Sequence, residues 1–192
     1  MKRLMDIALV ALTSPLWVPL MVLVAVVVAI SMGRPLFFVQ DRAGLNGKVF
    51  RFLKFRTMNS GEGTDLERMT RTGRILRATS LDELPQLLHV LSGKMSLVGP
   101  RPLPAVYLPR YSSEQMRRHE VRPGLTGWAQ INGRNAISWE DKFRLDVWYV
   151  ENRSLWLDIR ILAATVLKVL ARSGINRSAD ETMGEFLGSA DV

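Results

Sequence analysis

No charged residue interrupts the chain between Ile7 and Ile30. A bilayer core takes roughly 20 apolar residues to cross, so this run makes a membrane the first partner to consider. A cleaved leader fits less well, because its apolar core is usually about 7 to 15 residues. Thr13-Ser14-Pro15 and then Pro19 break the run. Each proline lacks an amide donor and crowds the preceding turn, so the helix is expected to bend at both places. Lys2 and Arg3 precede the run, and Arg34, Arg42, Lys48, Arg51, Lys54 and Arg56 follow it. Basic residues near segment ends favour the cytoplasm, so both flanks ask for the same side. Two arrangements remain: a helix that dips into the bilayer and returns, or a tilted span with a proline kink.

With 192 residues, the chain has room for one domain with a core and too little for two ordinary ones. Lys and Arg total 26 against 18 Asp and Glu, a formal net charge of +8. That balance suits an anionic partner: nucleic acid, acidic lipid or a phosphorylated substrate. The lack of cysteine removes disulfides, thiolate catalysis, zinc ribbons and iron-sulfur clusters. Two histidines, His89 and His119, are too few for a histidine-rich metal site.

Residues 36–40 and 49–55 read as short strands, with Phe50, Phe52 and Lys54 on one face of the second and Asn46-Gly47 as turn chemistry between them. A polar loop over 59–64 leads to a predicted helix carrying Leu66, Met69 and Leu76, interrupted by Gly73. Proline suits a first helical turn and glycine a helix stop, so Pro85 and Gly93 bound a short helix over 85–91. Ser112 with Gln115 fits a capping box, and Ser138 with Asp141 marks another helix start. The segment 155–172 is apolar yet carries Asp158, Arg160, Lys168 and Arg172, with Trp156 as an anchor. It suits either a helix at the lipid surface or a buried core helix.

Asp82 and Glu83 stand at the entrance to the 85–91 helix. Neighbouring carboxylates repel unless a cation, a metal or a helix N-terminus compensates, and each of these also favours the ionised form. An ionised aspartate can attack phosphorus or hold Mg2+ against a phosphate. The plainer reading is that Ser80 and Glu83 cap a helix, but Pro85 would interrupt a helix begun that early. Arginine offers phosphate a bidentate fork, and the candidates are Arg56, Arg77, Arg101 between two prolines, and Arg134. The stretch Arg122-Pro-Gly-Leu-Thr-Gly-Trp-Ala-Gln-Ile-Asn-Gly-Arg134 reads as a glycine- and amide-rich loop able to bring backbone close to a ligand. Neither GxxxxGK[ST] nor GxGxxG occurs. His89, on a short apolar helix, reads as a packed core residue. A non-catalytic, basic membrane-tethered module binding anionic lipid or nucleic acid is the alternative from another class. It has no use for the acidic pair, and the aromatics do not interleave with the basic residues as a stacking platform requires.

Four motifs carry a resemblance over nearly the whole chain: Lys54-Phe-Arg-Thr-Met58, Ser80-Leu-Asp-Glu-Leu-Pro-Gln86, Met95-Ser-Leu-Val-Gly-Pro-Arg-Pro102 and Arg122 to Arg134. In this order and spacing, the chain resembles the small monotopic polyprenyl-phosphate phosphoglycosyl transferases, also called bacterial sugar transferases. The resemblance implies an α+β, mainly helical fold. Residues 1–33 would form a re-entrant membrane helix broken at Ser14 and Pro15. Residues 34–192 would form a cytoplasm-facing catalytic domain with a small β-hairpin and interfacial amphipathic helices, at the bacterial inner membrane. It also implies a ping-pong reaction in which Asp82 takes the phosphosugar from a UDP-sugar, releases UMP and passes the group to polyprenyl phosphate. Mg2+ held at Asp82 would neutralise the diphosphate, and Glu83 would support the step or relay protons. Arg77, Arg101 and Arg134 would hold phosphate or nucleotide, and Lys54 and Arg56 belong to a matching substrate-binding motif. Membrane lipid is an expected partner and nucleic acid is not, while oligomeric state is left open. The tail Glu181-Thr-Met-Gly-Glu-Phe-Leu-Gly188 is similar to that of members using N-acetylated sugars such as diacetylated bacillosamine, with glucose and galactose still open.

Overall fold

The computed structural model describes residues 1–133, 137–170 and 184–188. Helix α1 (Lys2–Leu12) and helix α2 (Ser14–Met32) meet at Thr13. Pro15 lies in the first turn of α2, where its missing amide does least harm. Leu9 O keeps the Thr13 amide at 3.1 Å, and side chains add further donors at the break. The Thr13 hydroxyl donates to Leu9 O at 2.7 Å, and the Trp17 indole donates to Val10 O at 2.9 Å. Pro19 does not interrupt the helix as expected: α2 runs through it, and only the Thr13 junction divides the segment. Among the described residues, α2 is the one helix long and apolar enough to cross a membrane.

Both ends of this helical pair are bonded to the rest of the protein. At the start, Lys2 pairs with Asp158 at 2.6 Å, Arg3 donates to Val90 O and to Leu91 O, and buried Asp6 accepts from the Ser96 hydroxyl at 2.7 Å. At the far end, Arg56 donates to the carbonyls of Met32 and Gly33. A guanidinium there fills acceptors that every helix C-terminus leaves open.

Strands β1 (Phe37–Ala43) and β2 (Val49–Phe55) form an antiparallel hairpin in which Phe38 faces Lys54, Gln40 faces Phe52 and Arg42 faces Phe50. β2 has the bounds expected, while β1 begins one residue later than expected and runs three residues further. The helix expected around Leu66 to Leu76 is two: α3 (Asp65–Arg68) and α4 (Arg71–Ala78), each with its own threonine cap. The split falls at Met69 and Thr70. Gly73 does not break the helix but lies inside α4, because a Cβ there would stand 1.8 Å from the Thr57 carbonyl oxygen. Next come a 3-10 turn over Leu81–Glu83 and helix α5 (Gln86–Leu91), which follows Pro85 and stops before Gly93 at φ 81°.

Strand β3 (Ser96–Val98) pairs in parallel with β4 (Gly124–Thr126), and this pairing brings together two motifs 28 residues apart in register. Part of the stretch read as a loop is therefore ordered: after β4 comes helix α7 (Trp128–Asn132). Its glycines serve packing. A Cβ on Gly124 would lie 2.1 Å from the Gly99 amide nitrogen, and one on Gly127 would lie 2.2 Å from the Gly99 carbonyl oxygen. Between these strands runs α6 (Ser113–Met116), whose Ser112 and Gln115 form the expected capping box, and later α8 (Trp139–Asn152) begins at Ser138 as expected.

Helix α9 (Leu155–Leu170) buries one face, as the core-helix reading expects. Ile161 is fully buried while Trp156 and Leu167 are each 67% exposed, so one face enters the core and the other is open. Asp158 is buried and accepts from the Tyr149 hydroxyl at 2.7 Å as well as from Lys2. The main core joins Val10 and Trp17 to Phe52, Val90, Met95, Val98, Tyr149 and Ile161, so the N-terminal helices belong to the same packing as the hairpin and α9. His89 is the packed residue expected: its Nε2 accepts the Leu53 amide at 3.2 Å, between Phe50 and Phe52.

Candidate active site

Asp82 and Glu83 lie in the 3-10 turn, entered through Ser80 at φ 57°. A non-glycine residue in this region is uncommon and costs energy that packing must hold. The Ser80 side chain makes no capping bond, which removes the helix-cap explanation for the pair. Leu81 and Leu84, on either side of the carboxylates, pack with Phe55 and Leu76 onto Val24 and Val28 of α2. The turn is thus seated directly on the apolar N-terminal helix.

The two carboxylates have different surroundings. Glu83 is paired with Arg101. Burial alone would raise its pKa, but the charge and hydrogen bond of Arg101, then Lys54 and Arg42, reverse this and hold it below the ordinary glutamate value. Asp82 is 5% exposed and accepts no hydrogen bond from the described residues. Burial pushes it up to about 6, helped by the charge of Glu83 and opposed by Lys54, Arg77 and Arg101. At neutral pH it is still mainly ionised. One carboxylate is therefore engaged and the other is unengaged, buried and surrounded by cations.

Those cations come from separate elements. Lys54 projects from β2 with its ammonium 5.3 Å from the Phe38 ring, and burial lowers its pKa to about 8 against the pull of Asp82. Arg77, in the last turn of α4, is steadied by its Nε bond to the Thr57 hydroxyl at 3.1 Å. Arg101 follows β3. Of the arginines named from sequence, the structure brings Arg77 and Arg101 to the carboxylates together with Lys54. Arg56 is instead placed at the end of α2, where carbonyls occupy its guanidinium. Arg134 lies outside the described residues.

Sequence reasoning missed Arg42, Arg118 and Asp146. Arg42 sits on the hairpin face that carries Lys54, its guanidinium 4.3 Å from the Phe52 ring, with Nη1 donating to Pro102 O at 2.5 Å. Its alternation with Phe38 and Gln40 was the available signal. Arg118 and Asp146 form a buried ion pair at 2.7 Å, and no local spacing announces it.

The described residues hold no cluster of three or more acidic or histidine groups for a metal. Mg2+ does not require one, since it keeps several waters and commonly binds one or two carboxylates plus substrate phosphate. Unengaged Asp82 is a donor of that kind, and Glu83, held by Arg101, is less available.

A model of the bacterial sugar transferase family matches residues 1–172. The uncharacterized sugar transferase EpsL of Bacillus subtilis is 57% identical over 172 residues, covering 86% of this chain and 85% of that protein. The UDP-glucose:undecaprenyl-phosphate glucose-1-phosphate transferase of Xanthomonas campestris is 43% identical over 190 residues, 89% of this chain but 39% of that protein. The UDP-N-acetylgalactosamine-undecaprenyl-phosphate N-acetylgalactosaminephosphotransferase of Aeromonas hydrophila is 39% identical over 188 residues, 90% of this chain and 44% of that protein. The chain thus spans less than half the length of the latter two. A match over nine tenths of the sequence, with the acidic turn and its arginines inside it, makes this chain a member of the bacterial sugar transferase family, and an enzyme.

Proposed function

We propose that the chain moves a phosphosugar from a UDP-sugar to a polyprenyl phosphate at the cytoplasmic face of the bacterial inner membrane. The observation that carries the reading is the unequal pair: Glu83 held by Arg101, Asp82 buried without a partner among cations. An ionised carboxylate without a hydrogen-bond partner keeps its lone pairs for attack. An oxygen of Asp82 bonds to the sugar-bearing phosphorus as the bond from that phosphorus to the bridging oxygen breaks, and UMP leaves. An oxygen of polyprenyl phosphate then attacks the same phosphorus. The aspartyl bond breaks, the carboxylate returns and polyprenyl-diphosphate-sugar forms. Lys54, Arg77 and Arg101 offset the phosphate charge that develops. Mg2+ held by Asp82 and phosphate oxygens would supply further charge neutralisation. Glu83, kept ionised, serves chiefly to hold Arg101.

The Xanthomonas campestris and Aeromonas hydrophila relatives are named for UDP-glucose and UDP-N-acetylgalactosamine, each with undecaprenyl phosphate, which supports the substrate classes proposed here. A sugar transfer that leaves the phosphate behind would release UDP. With UDP-glucose, UDP-galactose, UDP-N-acetylgalactosamine and diacetylated UDP-bacillosamine in turn, plus undecaprenyl phosphate, we expect UMP from at least one donor. UDP as the only nucleotide product would overturn the reading.

We also propose that α1 and α2 dip into the bilayer and return, breaking at Thr13 to Pro15. Support comes from the bonds at both ends and from burial of Trp17, Val24 and Val28 against the body, while Leu12, Leu16, Val22, Leu23 and Ile30 stay exposed. A true span would carry one end of α2 roughly 28 Å away at 1.5 Å per residue. The chain has no native cysteine, so a cysteine added just before Lys2 and a Lys48→Cys variant report cleanly. Both should react with an impermeant maleimide only from the cytoplasmic side. Periplasmic labelling of the N-terminus would replace this topology with a span.

A further inference from the structure

Arg101 stands between two prolines, so neither neighbour donates an amide to the surrounding structure. Its segment is held instead by its carbonyls, four in succession. Pro100 O accepts the Gly124 amide at 2.9 Å and Leu103 O accepts the Ala43 amide at 3.0 Å. Between them, Arg101 O accepts from Arg118 Nη2 at 2.8 Å and Pro102 O from Arg42 Nη1 at 2.5 Å. Two of the four donors are guanidiniums, that of Arg42 half-buried and that of Arg118 buried. Arg118 is 2% exposed, with Asp146, also 2% exposed, taking its Nε at 3.1 Å and its Nη2 at 2.7 Å.

Burying such a pair is expensive, and well-packed apolar residues in its place often leave a protein as stable or more so. Stability alone therefore gives a weak reason for Arg118. What an apolar residue cannot do is hold the Arg101 carbonyl. We propose that Arg118, anchored by Asp146, is a positioning residue that fixes the Arg101 backbone so that its guanidinium meets Glu83 beside Asp82. The proposal rests on the functional reading above for what Arg101 does, but the placement of Arg101 can be read without turnover.

The test compares Arg118→Leu/Asp146→Leu, Arg118→Lys, Arg101→Met and the combinations with Arg101→Met, all in full-length protein in nanodiscs. Arg118→Lys retains charge opposite Asp146 but lacks the fork that reaches both Asp146 and the Arg101 carbonyl. The Leu pair should keep its unfolding midpoint yet lose about a hundredfold in UMP release, the scale for a displacement of about 1 Å near reacting groups. Arg118→Lys should lose rate in the same way, which covers the case in which the Leu pair does not fold. Both should reproduce the division of the loss between kcat and KM shown by Arg101→Met. In the Arg101→Met background neither should cause further loss, because the group being positioned is gone. The turnover-free reading uses 15N-arginine spectra: the Arg101 Nη2–H signal, assigned by its loss in Arg101→Met, should be held by Glu83 in the parent and freely exchanging in both Arg118 variants. Unchanged rates in Arg118→Lys, losses that multiply with Arg101→Met, or an unaltered Arg101 signal would each overturn the positioning role. UDP as the only product, with the Arg101 signal still exposed by both variants, would overturn the functional reading while the placement of Arg101 stood.

Discussion

Replacing Asp82 with asparagine should abolish turnover and leave no phosphosugar on the protein. Asparagine keeps the size of the side chain and its place in the 3-10 turn, but an amide has no anionic oxygen to attack phosphorus. Loss of a nucleophile costs about 10^4-fold or more. Glu83→Gln predicts a different failure. It leaves Asp82 intact but frees Arg101 from its carboxylate, so turnover should fall severely while some covalent adduct still forms. The measurement is intact mass of each variant after mixing with UDP-sugar and Mg2+ without polyprenyl phosphate, followed by peptide mapping. Parent protein should gain one phosphosugar on the peptide containing Asp82, Glu83→Gln should gain it in part, and Asp82→Asn should gain none. An adduct on Glu83, or full activity in Asp82→Asn, would reverse the assignment. UMP release with no adduct in rapid-quench samples would make Asp82 a metal ligand in a direct displacement.

The second large effect concerns folding. A Cβ on Gly124 would lie 2.1 Å from the Gly99 nitrogen, 2.6 Å from the Gly99 oxygen and 2.3 Å from the Thr126 oxygen, all backbone atoms that cannot turn aside. Gly124→Ala must therefore push β4 from β3 and stretch the bonds from Ser96 N to Pro123 O and from Gly124 N to Pro100 O. Overpacking a close contact costs about 1–3 kcal/mol, and a backbone contact this short belongs at or above the upper end. Denaturant or thermal unfolding in detergent should show that loss, with UMP release falling too because the Arg101 segment follows β3. Gly184→Ala is the control. A Cβ there meets nothing within 4 Å among the described residues, so its stability should stay within about 0.5 kcal/mol of the parent.

These two positions also show what local sequence can and cannot convey. Asp82 and Glu83 drew attention because adjacent carboxylates in a basic chain need a reason, and Pro85 placed them outside the next helix. Both arguments use neighbours within a few residues. The β-hairpin was legible for the same reason, through alternation and Asn46-Gly47. Arg118 and Asp146 are 28 residues apart in sequence, and nothing near either marks it as buried. Strands β3 and β4 have three residues each, too few for a period to show. The glycines from 124 to 133 suggested a loop that brings backbone close to a ligand, whereas Gly124 and Gly127 permit close backbone packing against Gly99. The partners of Asp158, Lys2 and Tyr149, belong to other helices, so nothing beside it in sequence marks it as buried.

The Lys2 to Asp158 ion pair joins residues 156 positions apart, and this governs the order in which the molecule can be completed during synthesis. The apolar segment leaves the ribosome before the residues that it packs against. Its first turn cannot find Asp158 until α9 has emerged, and contacts of such long range are slow to close. The apolar segment is therefore made before the acidic turn and yet among the last parts to be locked to the rest. A nascent chain arrested before Asp158 should lack that lock, even with Asp82, Glu83 and Arg101 already made.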